Sequence, residues 1–394
     1  MSEWKLKSLE DLSVSITSGL TPLKNNSEYW DNPVIPWLKT DQLGEKYIWD
    51  TNTKISEIAL EKTSLKLYPP KTLSIAMYGE GKTRGNISII MKPMATNQAC
   101  CNIIINDEKA DFEYVYYYMK TQYESLRGLS SGVRNNLNAN DIKNYEIRIP
   151  ESIVEQNNIS KVLSVLDQKI AINNQINEEL EAMAKTLYDY WFVQFDFPDE
   201  NGKPYKSSGG KMVYNDQLKR EIPEGWGVEN LSNFLTIKNG KDHKDLSDGD
   251  YPVYGSGGLM RKVEDYIFEG ESVLIPRKGT LNNIMYVDEK FWTVDTMFYT
   301  HMKIDYATLY TYFSIKDIDF TKLNTGTGVP SMTASILYQL QILNPNADIL
   351  KKFDELVRTT YRMIFDNHKQ NQELTQLRDW LLPMLMNGQV KVEE

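Results

Sequence analysis

The chain has 394 residues, of which 41% are hydrophobic, so it is long enough for two separate cores and is not a disordered chain. No apolar run approaches the ~18 residues of a membrane span, and the N-terminus lacks a signal-peptide pattern. The net charge of −10 argues against a nucleic-acid binder held by bulk positive charge. Cys100 and Cys101 are adjacent, which suits neither a disulfide framework nor a metal site and fits a reducing cytoplasm.

Residues 1–150 have the pattern of a mixed, mainly β domain. Four short β-rich runs lie between Gly, Pro and Asn residues and predict strands: 34–38, 73–77, 87–91 and 101–105. Residues 111–126 contain several tyrosines at helical spacing and predict a helix. Acidic and basic side chains balance at 18 of each, so DNA contact by this domain would depend on local basic clusters.

Residues 151–195 carry the clearest helical pattern and are interpreted as a first spacer helix. Apolar residues follow the alternating four-three spacing of a coiled-coil seam from Ile159 to Trp191. Two asparagines, Asn173 and Asn177, occupy the centre of that seam. The segment holds 7 acidic and 3 basic side chains, so the predicted spacer is acidic.

Residues 196–225 are predicted to be a connector, because turn-forming Pro, Gly, Asp, Asn and Ser residues occur throughout them. Residues 226–345 then repeat the pattern of the first domain. Three β-rich runs and one helix are predicted there: 272–276, 284–287, 296–299 and 306–315. Residues 346–390 are the second predicted spacer helix, and a shift of 194 residues along the first seam leads to Asn367 and Asn371.

The two halves of the chain repeat the same sequence pattern. Each half opens with a Trp, a Leu five residues later and then a Gly: Trp4, Leu9 and Gly19, and Trp226, Leu231 and Gly240. The halves also end alike, since residues 137–150 match residues 332–345 at a constant offset of 195. A repeat of this length indicates two copies of a domain followed by a helix, hence a pseudo-twofold molecule for a two-part target. The predicted fold class is α+β, with two similar mixed, mainly β domains separated by a coiled-coil spacer of two long antiparallel helices.

The matched asparagines predict how the two spacer helices pair. In an antiparallel pair of helices, contacting positions keep a constant sum of residue numbers, and the numbers of Asn173 and Asn371 have the same sum as those of Asn177 and Asn367. A buried amide needs a partner, so these side chains are expected to hydrogen-bond across the pair and fix its register. The alternative is that they are solvated side chains on a loosened seam.

Basic and amide-bearing side chains recur in Gly- or Asn-rich loops of both halves. Lys and Arg suit phosphate, whereas Arg, Asn and Thr also suit hydrogen bonding to base edges. The candidate DNA-binding residues of the first half are Lys39, Thr40, Lys82, Thr83, Arg84, Asn86, Arg134, Asn135 and Asn136. Those of the second half are Lys238, Asn239, Lys241, Tyr254, Ser256, Arg277, Lys278, Thr280 and Asn282. Each loop taken singly is more often a solvated turn, and their recurrence in matching parts of both halves favours DNA binding.

The three arginines of these loops, Arg84, Arg134 and Arg277, are expected to act on DNA and not on folding. The reason is that a long cation in a Gly- or Asn-rich loop has no apolar surface to cover.

An enzymatic function is not expected. Residues 76–83 match a relaxed phosphate-binding loop, but that mechanism needs a helix N-terminus next, and the residues that follow are β-branched. His243, His301 and His368 are scattered and have no metal-ligand spacing, so no metal site is predicted. The sequence also lacks a nucleophile elbow, a Gly-rich dinucleotide loop and the Asn-Pro-Pro-aromatic tetrapeptide that amino-methyltransferases use.

Several motifs together are typical of one family. They are the Trp-x4-Leu openings, the Gly-Val runs that end in Ile-x-x-Pro, the long helix after each, residues 187–193 with the following Phe-Asp-Phe-Pro, the connector's Ile-Pro-Glu-Gly-Trp, and residues 381–388. In these motifs the chain resembles the specificity subunit of type I restriction-modification systems, and the resemblance covers the whole chain.

The resemblance implies a non-catalytic, sequence-specific DNA-binding subunit with two target-recognition domains, each recognising half of a split site in double-stranded DNA. The implied parts are target-recognition domain 1 at 1–150, a conserved spacer helix at 151–195, the connector at 196–225, target-recognition domain 2 at 226–345 and a second conserved spacer helix at 346–390. Base-contacting residues vary between members of the family, so none is carried over to this chain.

The resemblance also implies partners. Two methyltransferase subunits would dock on the helices, and motor-nuclease subunits would join later, for DNA methylation and phage defence in the cytoplasm. The partners are expected to use S-adenosylmethionine, ATP and Mg, while this chain binds no cofactor. The alternatives are an unpartnered or decoy coiled-coil DNA-binding adaptor and a nucleotide-using enzyme that acts through Lys82.

Overall fold

A computed structural model describes residues 3–79, 81–129, 136–324, 326 and 328–392. The chain forms two compact units. The first unit comprises Met1–Ile172 and Gln370–Glu394, and the second comprises Asn173–Lys369. Two long helices contribute a segment to each unit.

The first half of the chain supplies ten strands and five helices among the described residues. The strands are β1 Trp4–Ser8, β2 Ser13–Ser18, β3 Ile35–Leu38, β4 Tyr47–Ile48, β5 Lys54–Ile55, β6 Thr72–Ala76, β7 Ile87–Ile90, β8 Ala95–Thr96, β9 Cys100–Ile105 and β10 Glu146–Pro150. The helices are α1 Glu57–Lys62, α2 Phe112–Thr121, α3 Tyr123–Gly128, α4 Ala139–Lys143 and α5 Ile153–Tyr188, with 3₁₀ turns at Ser27–Tyr29 and Thr40–Gln42.

The second half begins with the π-helical turn Asp189–Val193 that ends α5. The strands are β11 Met212–Asn215, β12 Arg220–Pro223, β13 Gly227–Asn230, β14 Leu235–Asn239, β15 Asp248–Gly255, β16 Gly258–Val263, β17 Phe268–Pro276, β18 Met285–Thr293, β19 Met297–Met302 and β20 Gln341–Asn344. The helices are α6 Leu231–Phe234, α7 Thr308–Lys316, α8 Ala334–Tyr338 and α9 Ala347–Met386, with a 3₁₀ turn at Phe320–Leu323.

The core of the first unit lies between a five-stranded sheet and helix α2. The strand order is β2-β9-β6-β7-β4, and every neighbouring pair is antiparallel except β4 and β7. Asp111 caps the N-terminus of helix α2, and its carboxylate accepts a hydrogen bond from the Tyr114 amide at 2.9 Å. Ile159 and Leu163 of α5 and Leu385 of α9 belong to the same buried apolar cluster, so the long helices complete this core.

The core of the second unit lies beside a six-stranded sheet of order β14-β19-β17-β18-β15-β16. Helix α7 is buried on all sides, as its apolar sequence requires. Aromatic side chains dominate here. Phe353 of α9 has no exposed surface, and its ring lies 5.0 Å from that of Phe192 and 6.3 Å from that of Phe313.

Helices α5 and α9 run antiparallel within the second unit. Nδ2 of Asn367 donates a hydrogen bond to Oδ1 of Asn177 at 2.8 Å. The rings of Trp191 and Phe353 lie 6.0 Å apart, and this pair has the same sum of residue numbers as the asparagine pair. Residue numbers therefore rise along one helix as they fall along the other, which confirms the predicted antiparallel pairing in this unit.

The sequence repeat corresponds to a repeated backbone plan. In the first unit β1 pairs antiparallel with β10, and in the second β13 pairs antiparallel with β20, so each opening segment is bonded to the closing segment of its own copy. The phenol of Tyr114 donates to the Arg148 carbonyl at 2.9 Å, and that of Tyr310 donates to the Leu343 carbonyl at 2.7 Å. Both tyrosines tie a buried helix to the closing strand.

The repeated glycines have a steric explanation. A Cβ on Gly19 would collide with the carbonyl oxygen of Thr96, and a Cβ on Gly240 would collide with that of Val294. Each glycine follows the first strand of its sheet at a point where another backbone segment approaches closely, and only a residue without a side chain fits there.

Two expectations from the sequence need correction. The helix predicted at 111–126 is broken at Gln122 into α2 and α3. The connector is not made of turns throughout, because β11 and β12 form an antiparallel pair within it, and its Phe197 is buried in the second core. The predicted strands and the first long helix are present. None of the helices in the described residues is long and apolar enough to cross a membrane.

Candidate nucleic-acid interface

The predicted loops of the second unit meet around residues 293–297. The amide of Lys241 donates to the Thr293 carbonyl at 2.9 Å, and the amide of Val294 donates to the Tyr254 carbonyl at 3.1 Å. The amide of Arg277 donates to the Thr296 carbonyl at 2.8 Å. Three loops that are far apart in sequence are therefore gathered at one place by backbone hydrogen bonds.

The loop of residues 277–283 is attached to the turn between β15 and β16. Nδ2 of Asn283 donates to the Ser256 carbonyl at 3.0 Å, and a Cβ on Gly279 would lie 2.6 Å from the Ser256 hydroxyl oxygen. The amide of Gly279 also donates to the Pro330 carbonyl at 3.1 Å. These contacts give the loop a defined shape, which a surface that recognises DNA sequence requires.

The candidate side chains of the second unit divide into two groups. Five are exposed and able to reach a ligand: Lys238, Asn239, Lys241, Lys278 and Thr280. The others make internal contacts. Tyr254 donates to Glu289 at 2.6 Å, and burial together with that carboxylate raises the pKa of Tyr254, so the phenol stays neutral. Asn282 is exposed, but its Oδ1 accepts from the Phe320 amide at 2.9 Å.

Arg277 does not match its prediction. Its guanidinium lies 5.8 Å from the centre of the Phe298 ring, so the cation does cover an apolar surface. The expectation that this arginine has no such surface is wrong, because β19 brings Phe298 beside the loop from a position 21 residues away in sequence.

In the first unit the corresponding loop connects β6 and β7 and is anchored by helix α3. The phenol of Tyr123 donates to the Lys82 carbonyl at 2.6 Å, and Nη1 of Arg127 donates to the Gly81 carbonyl at 2.9 Å. Nη2 of Arg84 points back to the Arg127 carbonyl at 3.4 Å. Arg84 therefore also contacts its own unit, and its effect on DNA binding stays a prediction.

Asn86 also has a structural partner. Its Nδ2 donates to the Leu43 carbonyl at 3.0 Å, which ties the β6–β7 loop to the segment that follows β3. Lys39 and Thr40 lie in that segment, and Lys39 is 3.7 Å from the carboxylate of Asp41. The structure therefore brings two of the predicted loops of the first unit together.

Lys82 is exposed at the edge of a cavity of about 430 Å³. Lys120 and Tyr123 line the same cavity, and neither was among the predicted site residues. Sequence reasoning assigned both to the helix at 111–126, and only the tertiary structure places them beside the loop. The sequence feature that could have identified them is the aromatic and basic composition at the end of that helix.

The remaining candidates are placed as follows. Thr83 is half-buried in the β6–β7 loop, and Asn136 is half-buried next to Leu137, whose amide donates to the Met77 carbonyl at 3.2 Å. Arg134 and Asn135 lie outside the described residues. Of the register asparagines, Asn173 and Asn177 lie on α5, and Asn367 and Asn371 lie on α9. The contact between Asn177 and Asn367 is present, and its role in fixing register remains a prediction.

The relaxed phosphate-loop pattern lacks the geometry of a nucleotide site. Strand β7 begins at Ile87, so no helix N-terminus follows Lys82 and Thr83. Across the part of the chain that the structure describes, no group of three His, Cys, Asp or Glu side chains is placed to hold a metal ion.

Comparison with known proteins decides the family. A family model described as "Type I restriction modification DNA specificity domain" matches residues 1–182 and 223–375, which is most of the chain. The chain belongs to this family. The two matched regions begin at the two openings of the sequence repeat, so each copy of the repeat is one specificity domain.

Relatives within the family match along the full length. The type I restriction enzyme MjaIX specificity subunit of Methanocaldococcus jannaschii is 29% identical over 433 residues, covering 100% of this chain and 94% of the relative. The EcoprrI specificity subunit of Escherichia coli is 21% identical, covering 88% of this chain and 86% of the relative. The crystal structure of an S subunit of a type I restriction-modification system from M. genitalium has the same fold, with a TM-score of 0.65, 18% identity and coverage of 98% and 96%.

Proposed function

We propose that this chain is the DNA-recognition subunit that directs a type I restriction-modification complex to a bipartite target. Each sheet-rich part would recognise one half-site in double-stranded DNA through its own loops. The proposal rests on one observation above all: the chain holds two copies of a DNA specificity domain, and each copy gathers loops with basic side chains around the ends of its strands.

The composition of the loops supports two kinds of DNA contact. Lys82, Lys241 and Lys278 are exposed and suit phosphate oxygens, since a lysine is a flexible point charge. Asn239 and Thr280 are exposed and suit base edges. Asn86 and Asn282, whose side chains are engaged inside the protein, would instead hold the shape of the loops.

The long helices supply the docking surface for methyltransferase subunits in this proposal. In the second unit, Met183 of α5 and Leu356 of α9 are large apolar side chains that are 66% and 53% exposed. They line a groove of about 820 Å³ together with Leu187 and Tyr190. Exposed apolar patches of this kind are typical of protein interfaces. S-adenosylmethionine, ATP and Mg would be bound by the methyltransferase and motor-nuclease subunits.

A domain exchange tests the bipartite function. Residues 226–345 are replaced by the corresponding domain of another family member, and the methylated motif is determined by sequencing the modified bases of cellular DNA. We expect one half of the motif to change and the other half to stay the same. A change in both halves would contradict the assignment of one half-site to each domain.

A binding titration tests the role of the partners. The net charge of −10 and the acidic spacer predict weak binding by the isolated chain and tighter binding with methyltransferase subunits, because phosphate contacts dominate DNA affinity. Both titrations use one duplex at one salt concentration. Equal affinity with and without the partner would favour an unpartnered adaptor instead.

A further inference from the structure

Each unit contains a partly buried cluster of charged side chains that joins its sheet-rich part to a long helix. Buried charges are costly to desolvate, and apolar residues of similar volume often stabilise a fold as well or better. Apolar packing is also much less directional than a network of charged hydrogen bonds. Because each cluster lies between a sheet-rich part and a long helix, it is placed to hold the orientation of the sheet-rich part on that helix.

The first cluster consists of Lys46, Glu113, Tyr117, Asp167 and Arg378. The Lys46 ammonium, on a side chain only 10% exposed, lies 3.1 Å from Glu113 of α2 and 3.9 Å from Asp167 of α5. The phenol of Tyr117 donates to Asp167 at 2.5 Å, and Nη1 of Arg378 donates to the other oxygen of Asp167 at 2.8 Å. Asp167 thus connects the sheet-rich part, α5 and α9.

The second cluster consists of Glu271, Tyr286, Asp354 and Arg358. Nη2 of Arg358 donates to Glu271 of β17 at 3.0 Å, Nη1 donates to the other oxygen of Glu271, and Nε donates to Asp354 at 2.8 Å. The phenol of Tyr286 donates to Glu271 at 2.7 Å. A planar guanidinium that donates several hydrogen bonds to two carboxylates fixes both the distance and the angle between β17 and α9.

The phenols stay neutral donors in both clusters. Burial and the neighbouring Asp167 raise the pKa of Tyr117, and burial and the neighbouring Glu271 raise the pKa of Tyr286. Both phenols therefore remain hydrogen-bond donors across the physiological pH range.

The geometry of DNA sets how precisely each recognition domain must be oriented to distinguish one spacer length from the next. With 10–10.5 base pairs per turn, each additional base pair rotates one half-site relative to the other by about 35°. A sheet-rich part that was free to rotate on its helices by that angle would follow the rotated half-site, so it would discriminate less well between neighbouring spacer lengths. Discrimination between adjacent spacers therefore requires each recognition domain to be held within a fraction of that angle.

We infer that the two charged clusters hold the orientation of each sheet-rich part on its own helix segments and thereby determine which spacer length the complex accepts between half-sites. These residues are positioning residues that contact no base. The inference rests on the proposed function, since it assumes that each unit recognises a half-site.

The test uses the full chain assembled with its methyltransferase subunits. The variants are Glu271→Gln and Asp167→Asn, which remove one charge and keep the side-chain volume. The matched control is Glu269→Gln, because Glu269 lies on the same strand as Glu271 but pairs with Lys290 at 3.6 Å while 60% exposed. The substrates are duplexes with the two half-sites of the wild-type motif separated by its natural spacer or by one base pair more or less.

We expect the wild type and Glu269→Gln to modify only the natural spacer efficiently. For Glu271→Gln and Asp167→Asn, the ratio of rates on natural and altered spacers should fall by about tenfold, equivalent to about 1.4 kcal/mol of lost discrimination. The half-site sequences should be unchanged. Full retention of spacer discrimination by both variants would overturn the inference, and so would a changed half-site sequence, which would mean that the clusters contact bases.

Assembly is checked by size-exclusion chromatography and thermal unfolding. If a variant fails to assemble, Arg358→Lys, which keeps the charge and loses the fork, replaces it. Failure of all three to assemble would show that the clusters are needed for folding as such and would overturn the positioning function. A wild-type complex that modifies single half-sites would refute the proposed function itself, an outcome distinct from those above.

Discussion

The contact between Asn177 and Asn367 gives the most informative stability prediction, because a double-mutant cycle isolates it. The double variant Asn177→Leu with Asn367→Leu makes this part of the helix seam apolar. It loses one amide hydrogen bond, which costs about 1 kcal/mol net. It also removes Nδ2 of Asn177, which is buried and has no hydrogen-bond partner among the described residues.

The free energy gained by burying leucine side chains should exceed the free energy lost with the hydrogen bond. Asn177 is only 6% exposed, so a leucine there would bury nearly its whole side chain, worth about 1.5–3 kcal/mol. We therefore expect the double variant to be more stable than the wild type by about 1–3 kcal/mol. The single variant Asn367→Leu should gain less or lose stability, because it leaves Oδ1 of Asn177 without its donor.

The assay is urea unfolding of the wild type, both single variants and the double variant, followed by circular dichroism of the helices. The coupling energy is expected to be about 0.5–3 kcal/mol, as for side chains in contact. Single-variant effects that add up to the double-variant effect would show that the amides are not coupled. Replacing all four asparagines, Asn173, Asn177, Asn367 and Asn371, by Leu should broaden the range of accepted spacer lengths, because a uniformly apolar seam no longer penalises a slipped register.

Three further predictions concern the glycine contact, the loop that contains Lys278 and the half-buried His301. Gly240→Ala should destabilise the second unit by about 1–3 kcal/mol, because its Cβ meets the backbone of residues 293–294, whereas Gly257→Ala has open space and should change thermal stability by less than about 0.5 kcal/mol. Lys278→Ala should weaken binding to all DNA sequences alike and reduce the slope of log affinity against log salt by about 1, with an unchanged melting temperature. Burial and the nearby Lys238 lower the pKa of His301 below 6.5, so stability is lost as pH falls below that value, and His301→Phe should flatten this dependence in unfolding experiments.

Each of these has a result that would contradict it. Equal melting temperatures for the two glycine variants would mean that the backbone at 293–294 moves aside freely. A sequence-selective loss of binding by Lys278→Ala would identify a base contact instead of a phosphate contact. An unchanged acid dependence in His301→Phe would assign that dependence to another group.

The sequence by itself determined the duplication and the long helices, and the resemblance of its motifs to one family implied the antiparallel pairing. These features are visible because they depend on local patterns: a repeated opening and closing segment, and apolar residues at helical spacing. The match between Asn177 and Asn367 could be predicted from numbering alone, because two copies of one helix that pair antiparallel must align about a common centre.

The candidate interface was predictable only as a set of loops. Exposed Lys241 and Lys278 lie where the pattern indicates. The sequence could not show that Asn86 and Arg84 hold their own loop, because the Leu43 and Arg127 carbonyls that they contact come from distant segments. A Gly- or Asn-rich loop has the same composition whether its side chains contact DNA or the protein.

Only the tertiary structure decided the positions of the partly buried charges. Glu271 and Arg358 are 87 residues apart, and a lone glutamate on a strand or arginine on a helix looks like a solvated residue in sequence. Which charged residues meet depends on how the sheet packs against the helix. That packing depends in turn on the shapes of many side chains that are distant in sequence. The paired strands β11 and β12 inside the connector could not be predicted either, because turn residues surround them in the sequence, whereas in the folded chain Ile222 of β12 is buried in the second core.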